Sequence, residues 1–246
     1  MRKHLIWIFA LTIACAEPKA TSENPLEFST KNFEKELCVD EECSKMSISY
    51  PFAHGNATAD NINDHIQNQL MAYFQSDSVG SDLAQRADIF LNSYKVFKED
   101  FPEAPGAWVV EVEADVSYES EVTISIFFTE YNFSGGAHPN SSHYYMNFDR
   151  ETGEYLSLDR VILDRDKMLE MAELAFRKHH EVEEGVALKD DGRFFLPETG
   201  FFLPNAVGYS NDKFVLTYIP YEIGPYVLGY TELEFPMKDV KGIVRE

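Results

Sequence analysis

The segment AWVVEVEADVSYES (residues 107–120) constrains the fold more than any other. Its even positions carry Trp108, Val110, Val112, Ala114, Val116 and Tyr118, and its odd positions include Glu111, Glu113, Asp115 and Ser117. Successive side chains of a strand point to opposite faces, so this spacing predicts a half-buried strand with one apolar and one wet, acidic face. Strands of that kind belong to antiparallel sheets with one side on a core. A turn near Glu119–Glu121 leads into VTISIFF, which alternates on Val122, Ile124, Ile126 and Phe128. Beyond Phe128 the large residues shift to Tyr131 and Phe133, and a bulge or a change of sheet is the expected cause.

The remaining periodicities fill in the fold class. Two strands, 33–38 and 43–50, flank the Cys38/Cys43 pair; the second alternates Met46, Ile48 and Tyr50 and is expected to stop at Pro51. NATADNINDHIQNQLMAYF (56–74) places Ile62, Ile66, Leu70 and Phe74 on one helical face, capped by Asn56 or Thr58. A second helix over 81–98 repeats the device with Leu83, Ala87, Phe90, Leu91, Tyr94 and Phe97. HYYMNFD (143–149) and DRETGE (149–154) read as a strand and a glycine turn, and residues 163–185 as a third helix with Gly185 as its C-cap. FFLPNAVGYS, KFVLTYIPY and YTELEFP supply short strands. Runs of strands and runs of helices, without strict alternation, predict an α+β protein: antiparallel sheets, three main helices and two intimately packed subdomains, 28–134 and 135–246.

The N-terminus has a different logic. Arg2, Lys3 and His4 precede a short apolar run, and Ala14 and Cys15 end it before the chain turns polar. A basic start, a short apolar core and small residues at the cut describe a secretory signal. The Cys at its end resembles a bacterial lipobox. Residues 1–15 are therefore expected to be a lipoprotein signal with Cys15 as the lipidated residue, and 16–27 a polar tether. Membrane attachment is expected through that lipid only, with the globule in the periplasm-facing envelope or at the outer membrane. In an exported chain Cys38 and Cys43, five residues apart, are expected to form a disulfide. The formal charge is −21, and loss of Arg2 and Lys3 on processing makes it −21 − 2 = −23. Such a surface repels nucleic acid and anionic membranes and attracts cationic partners.

Signatures of catalysis are sparse. His138 and His143 flank Pro139 on a loop and a strand start, and His179 and His180 are adjacent on a helix, where they diverge. No His-Glu-x-x-His, nucleophile elbow, phosphate-binding loop or dinucleotide fingerprint occurs, so no metal or cofactor is expected. The glycines of GGAHP suit positive φ, Pro139 fixes the exit, and His138 is expected to brace the turn. Tyr221 and Tyr226 bracket Gly224-Pro225 at a second bend, with Glu222 either accepting backbone N–H groups or lining a cleft.

Taken in order, GGAH (135–138), NFD (147–149), TGE (152–154), LSLD (156–159) and YIPYEIGPYVLGYTELEFP (218–236) resemble the domain-of-unknown-function 3298 (DUF3298) family. The stretch before them, about 44–134, resembles the companion 4163-type (DUF4163-like) region. Together they resemble the extracellular module of the sigma-V anti-sigma factor and of certain peptidoglycan deacetylases. The resemblance implies a non-catalytic envelope binder, with lysozyme, another cationic protein or peptidoglycan as partner. No sigma-binding segment or deacetylase domain flanks the matched region, so neither activity is expected to carry over. The candidate binding cleft is Gly135, Gly136, His138, Tyr221, Glu222 and Tyr226. Two other readings compete: a hydrolase acting on cell-wall polymer through Glu222 or His138, and a structural envelope protein.

Overall fold

The structure, a computed structural model, describes residues 25–72 and 82–246 of the 246-residue chain. The expected signal segment with Cys15, the tether up to residue 24, and Phe74 lie outside the described residues. None of the described helices is long and apolar enough to cross a membrane.

The first sheet has five strands in the order β1-β2-β3-β4-β5, formed by Glu27–Val39, Glu42–His54, Val109–Glu119, Thr123–Phe133 and Asn140–Asp149. Two helices, α1 (Ala57–Ala72) and α2 (Leu83–Asp100), connect β2 to β3. They cover the apolar face: Met46, Ile48, Val110, Val112, Ile124, Ile126 and Phe128 meet Ile62, Ile66, Leu70 and Ala87 in one buried cluster. The caps are local. The Asn56 side chain accepts from the Thr58 N–H, and that of Asp82 accepts from the Gln85 N–H. Cys38 and Cys43 stand opposite each other at the β1–β2 turn and are joined by a disulfide.

Several expectations require correction. β2 and β3 pair in parallel over Lys45–Ser49, so the sheet is mixed. The two helices form the crossover that a parallel pair requires. Pro51 does not end its strand, because β2 continues to His54 against β1. Pairing with β3 stops at Ser49, and Pro51 thus sits where β2 has one neighbour only, the edge situation that proline tolerates. β1 begins at Glu27, within the expected tether. The bulge lies in β3, between Val116 and Tyr118, while β4 pairs regularly through Asn132. Tyr131 and Phe133 stand on the face of Thr129, so the large residues change face while the register does not slip. Finally, β5 completes the first sheet, which therefore extends past the expected boundary at 134/135.

After β5, the DRETGE turn docks on α1. Gly153 has φ 71°, and a Cβ there would overlap the Thr58 carbonyl. A short helix α3 (Leu158–Val161) precedes α4 (Arg165–His179). Strands β6 (Ala206–Ser210), β7 (Lys213–Tyr218) and β8 (Thr231–Pro236) form an antiparallel sheet. α4 buries Met168, Ala172 and Phe176 in the cluster that contains Phe214, Leu216, Tyr218 and Leu233. It ends before Gly185. The Val182 N–H reaches the Arg177 carbonyl and the Glu181 N–H the Lys178 carbonyl, with Glu181 at φ 51°. This is a Schellman closure with a glutamate in the left-handed position where a glycine is usual.

The second sheet meets the first edge-on. β6 is an edge strand, and its outward groups at Val207 and Tyr209 find side chains from the wet face of the first sheet. The Asn147 amide donates to the Val207 carbonyl at 2.8 Å. The Tyr209 N–H donates to Ser125 Oγ at 3.2 Å, and the Ser117 hydroxyl donates to the Tyr209 carbonyl at 2.6 Å. Ser125 in turn donates to Asn147 Oδ1 at 2.8 Å. Ser125 and Asn147 are buried, and the contact is close enough that a Cβ on Gly208 would overlap the Tyr145 ring.

Outcomes of two kinds follow, the first in packing. Asn147→Ala strands the Val207 carbonyl and Ser125, and should lower unfolding free energy in urea by about 1–3 kcal/mol. Gly208→Ala should cost at least a comparable amount, about 1–3 kcal/mol from overpacking, because the obstacle is the base of a ring rather than a flexible tip. The second kind concerns pH. His180 bonds Thr231 Oγ1 through Nε2 at 2.9 Å and packs on Phe176. Burial, aided by the nearby His179 and Arg193, lowers its pKa from 6.5 to about 4. Between pH 6.5 and about 4 the unfolded chain binds the extra proton and the folded one does not, so stability is full above this window and falls as pH falls through it. Thermal melts across that range should show a shallower decline in His180→Gln than in the parent protein.

Candidate functional site

The GGAHP loop and the loop between β7 and β8 meet. Gly135 and Gly136, at φ 94° and 105°, turn the chain from β4 back into β5. His138 stacks on Tyr226 with ring centroids 4.6 Å apart, and Tyr221 lies 5.6 Å from Tyr226. His138 Nδ1 is 2.9 Å from the Pro139 carbonyl, which can only accept, so in the neutral ring Nδ1 carries the proton. Nε2 is left to accept from the Tyr221 hydroxyl at 3.4 Å. Tyr221 itself has φ 72°, an uncommon conformation for a tyrosine, at the second bend.

Glu222 does not join this cluster through its carboxylate. One oxygen accepts from the Asn205 N–H and side-chain amide at 2.9 and 3.0 Å, and the other from the Ile219 N–H at 3.0 Å. Its role is to staple the bend, not to face a substrate. Of the expected cleft residues, the structure brings His138, Tyr221 and Tyr226 together, sets Gly135 and Gly136 at the turn that delivers His138, and commits Glu222 to the backbone. The same corner is markedly apolar and open: Tyr221 is 57%, Tyr226 38% and Val227 89% exposed.

A concavity lies next to this corner, on the open end of the wet face. It has a volume of about 460 Å³, with Ser47, Ser49, Glu111, Glu113 and Thr129 among its floor residues. Tyr230, from the same β7–β8 loop, supplies a wall. Its ring stacks on His143 at 4.0 Å and its hydroxyl donates to Ser141 Oγ at 2.9 Å. Burial lowers the His143 pKa, so this ring stays neutral at physiological pH. Burial also raises the Glu130 carboxyl, against an opposing hydrogen bond from the Asn132 amide. Glu111 and Glu113 are exposed and form no ion pair among the described residues. Among the described residues no three His, Cys, Asp or Glu side chains are grouped to hold a metal ion.

Glu111, Glu113, His143 and Tyr230 line this concavity and were not among the expected cleft residues, although His143 stood out beside His138 in the sequence. A signal for the acids was present, since they occupy the odd, wet positions of β3. Nothing local marked the His143–Tyr230 stack, whose members stand far apart in the chain and meet only when the second sheet docks.

Comparisons with known proteins fit this architecture. Residues 37–141 match the family model described as Deacetylase PdaC, and residues 163–238 match that described as Protein of unknown function (DUF3298). A comparison with curated proteins finds no match. Among solved structures, a DUF3298 family protein of Pseudomonas aeruginosa PAO1 is 20% identical, with a TM-score of 0.67 over 91% of this chain and 96% of that one. A member of the same family from Bacteroides fragilis NCTC 9343 is 17% identical, with a TM-score of 0.69 over 91% of this chain and 95% of that one. The two matches point to an extracellular, envelope-associated module. The chain thus carries a PdaC-matching region followed by a DUF3298-matching region, on the fold that these DUF3298 family proteins share.

Proposed function

We propose that the protein is a non-catalytic, ligand-binding envelope lipoprotein, anchored through Cys15, whose binding face is the Tyr221–Tyr226 corner together with the adjoining acidic cleft. The observation that carries this reading is the pairing of exposed Tyr221, Tyr226 and Val227 with the unpaired carboxylates of Glu111 and Glu113. Aromatic anchors beside a charged rim are the anatomy of a protein-binding surface. A net charge of −21 steers cationic partners toward it. Lysozyme, a basic protein, is the partner that the resemblance to the sigma-V anti-sigma module favours.

Catalysis is a weaker reading of the same corner, although one matching family model carries the name of a deacetylase. Glu222, the carboxylate nearest the bend in sequence, has its oxygens occupied by Asn205 and Ile219. The His138 Nδ1 proton is engaged by the Pro139 carbonyl.

Immobilised protein should retain lysozyme at about 0.15 M ionic strength, with affinity falling as salt rises. Glu111→Gln/Glu113→Gln and Tyr226→Ala should each weaken retention about tenfold, a loss of about 1.4 kcal/mol. Absence of retention at that salt would remove lysozyme as the partner. Release of acetate or reducing ends from cell-wall glycan by the purified protein, abolished in His138→Ala, would replace binding with catalysis.

A further inference from the structure

A second concavity lies on the opposite, helix-covered side of the first sheet, between α1 and the free edge of β5. Asn61, Asp64, His65, Asn68 and Gln69 occur at intervals of three, four, seven and eight residues from the first, and so form one stripe along α1. This stripe runs beside the buried one of Ile62, Ile66 and Leu70, and it is polar throughout. Across from it stand Tyr155 and the β5 residues Tyr144, Tyr145 and Met146. The groove has a volume of about 380 Å³ and adjoins a second hollow of about 320 Å³, with His65 and Asn68 lining both.

Its chemistry is specific in three respects. First, it contains a flat aromatic surface: Tyr155 is exposed, and its ring lies 5.8 Å from that of His65 at an interplanar angle of 36°. Second, it contains planar amides that no protein group engages among the described residues. Asn68 and Gln69 make no hydrogen bond within the described residues, whereas Asn61, Asn63 and Gln67 on the same helix are engaged. Third, it borders an open backbone rung. The Asn147 carbonyl and the Asp149 N–H point away from β4 and are bonded by the Leu156 N–H and the Glu154 carbonyl. By the period of two, the Tyr145 N–H and carbonyl point the same way, toward the groove, while its ring lies on the opposite face under Gly208.

A ligand that complements this set needs an apolar flat face to lie on a ring and a rim of hydroxyl or amide groups to pair with side-chain amides. A pyranose has both. Asp64 and Glu154 line the far end, which disfavours an acidic ligand. We propose that this groove is a carbohydrate-binding site for a neutral or amino-sugar oligosaccharide, with Tyr155 as the stacking platform and Asn68 and Gln69 as the hydrogen-bonding rim. It is separate from the acidic cleft on the wet face and stands whether or not that cleft binds lysozyme.

The test is titration of the whole protein, followed by calorimetry and by amide chemical shifts, with the tetramers of N-acetylglucosamine, glucosamine and cellobiose-type glucose, and with tetragalacturonate. At least one of the first three should bind saturably at concentrations up to about 10 mM, and tetragalacturonate should bind at least tenfold more weakly. Tyr155→Ala should weaken that binding at least tenfold. Because Tyr155 also packs on Phe148, Asn68→Ala/Gln69→Ala serves as the second variant: it changes only a polar helix surface and should give the same loss with an unchanged melting temperature. Glu111→Gln/Glu113→Gln should leave sugar binding intact. Absence of saturable binding by all three tetramers, binding that survives both groove variants, or preference for tetragalacturonate would overturn the proposal.

Discussion

The architecture depends on how the edge of β6 is satisfied. A strand at the end of a sheet has a row of N–H and C=O groups that must be paired or solvated once buried. Here the partners are side chains rather than another strand: Ser117, Ser125 and Asn147 from the wet face of the first sheet. Hydroxyls and a primary amide suit this because each both donates and accepts. Ser125 accepts from Tyr209 while donating to Asn147, which then donates to Val207. Three short polar residues thus convert a solvent-type face into a docking surface, and Gly208 lets the two layers approach.

That junction divides the wet face in two. Under β6 its polar residues are buried and structural. Beyond β6, the same alternating positions of β2, β3, β4 and β5 remain open as the acidic cleft, with Tyr230 reaching over from the second sheet. The two elements that define the corner, GGAHP and the β7–β8 loop, meet only because the docking fixes their distance. Tight backbone conformations at Gly135, Gly136 and Tyr221, together with the Glu222 staple, hold His138, Tyr221 and Tyr226 in contact. One sheet face therefore carries both the buried junction and the open cleft.

The apolar side of the same sheet has a complementary organisation. α1 directs one stripe into the core and the next, polar stripe toward the β5 edge. The closure of that edge by residues 154–156 stops one rung short of Tyr145, which leaves the groove open beside a ring and two free amides. Each face of the sheet thus offers a concavity of different chemistry, one acidic and one aromatic with amides.

The strand alternation in β2–β5, the helix faces of α1, α2 and α4, the disulfide hairpin and the α+β class were legible because each rests on contacts of fixed local period. Asn56, one of the two residues expected to cap α1, does so, and Gly153 took the positive φ that its turn requires. The parallel β2–β3 pair, the continuation of β2 through Pro51 and the Glu181 helix end were not legible, since each depends on which neighbour arrives or fails to arrive. The site divides along the same line. Composition and alternation determined that an acidic wet face would exist and that GGAHP and YEIGPY would bend. Only the tertiary structure decided that Glu222 turns to the backbone, that His143 meets Tyr230, and which part of the wet face stays open. Local periodicity states which side a residue faces, while the identity of what it faces is set by contacts between residues far apart in the chain.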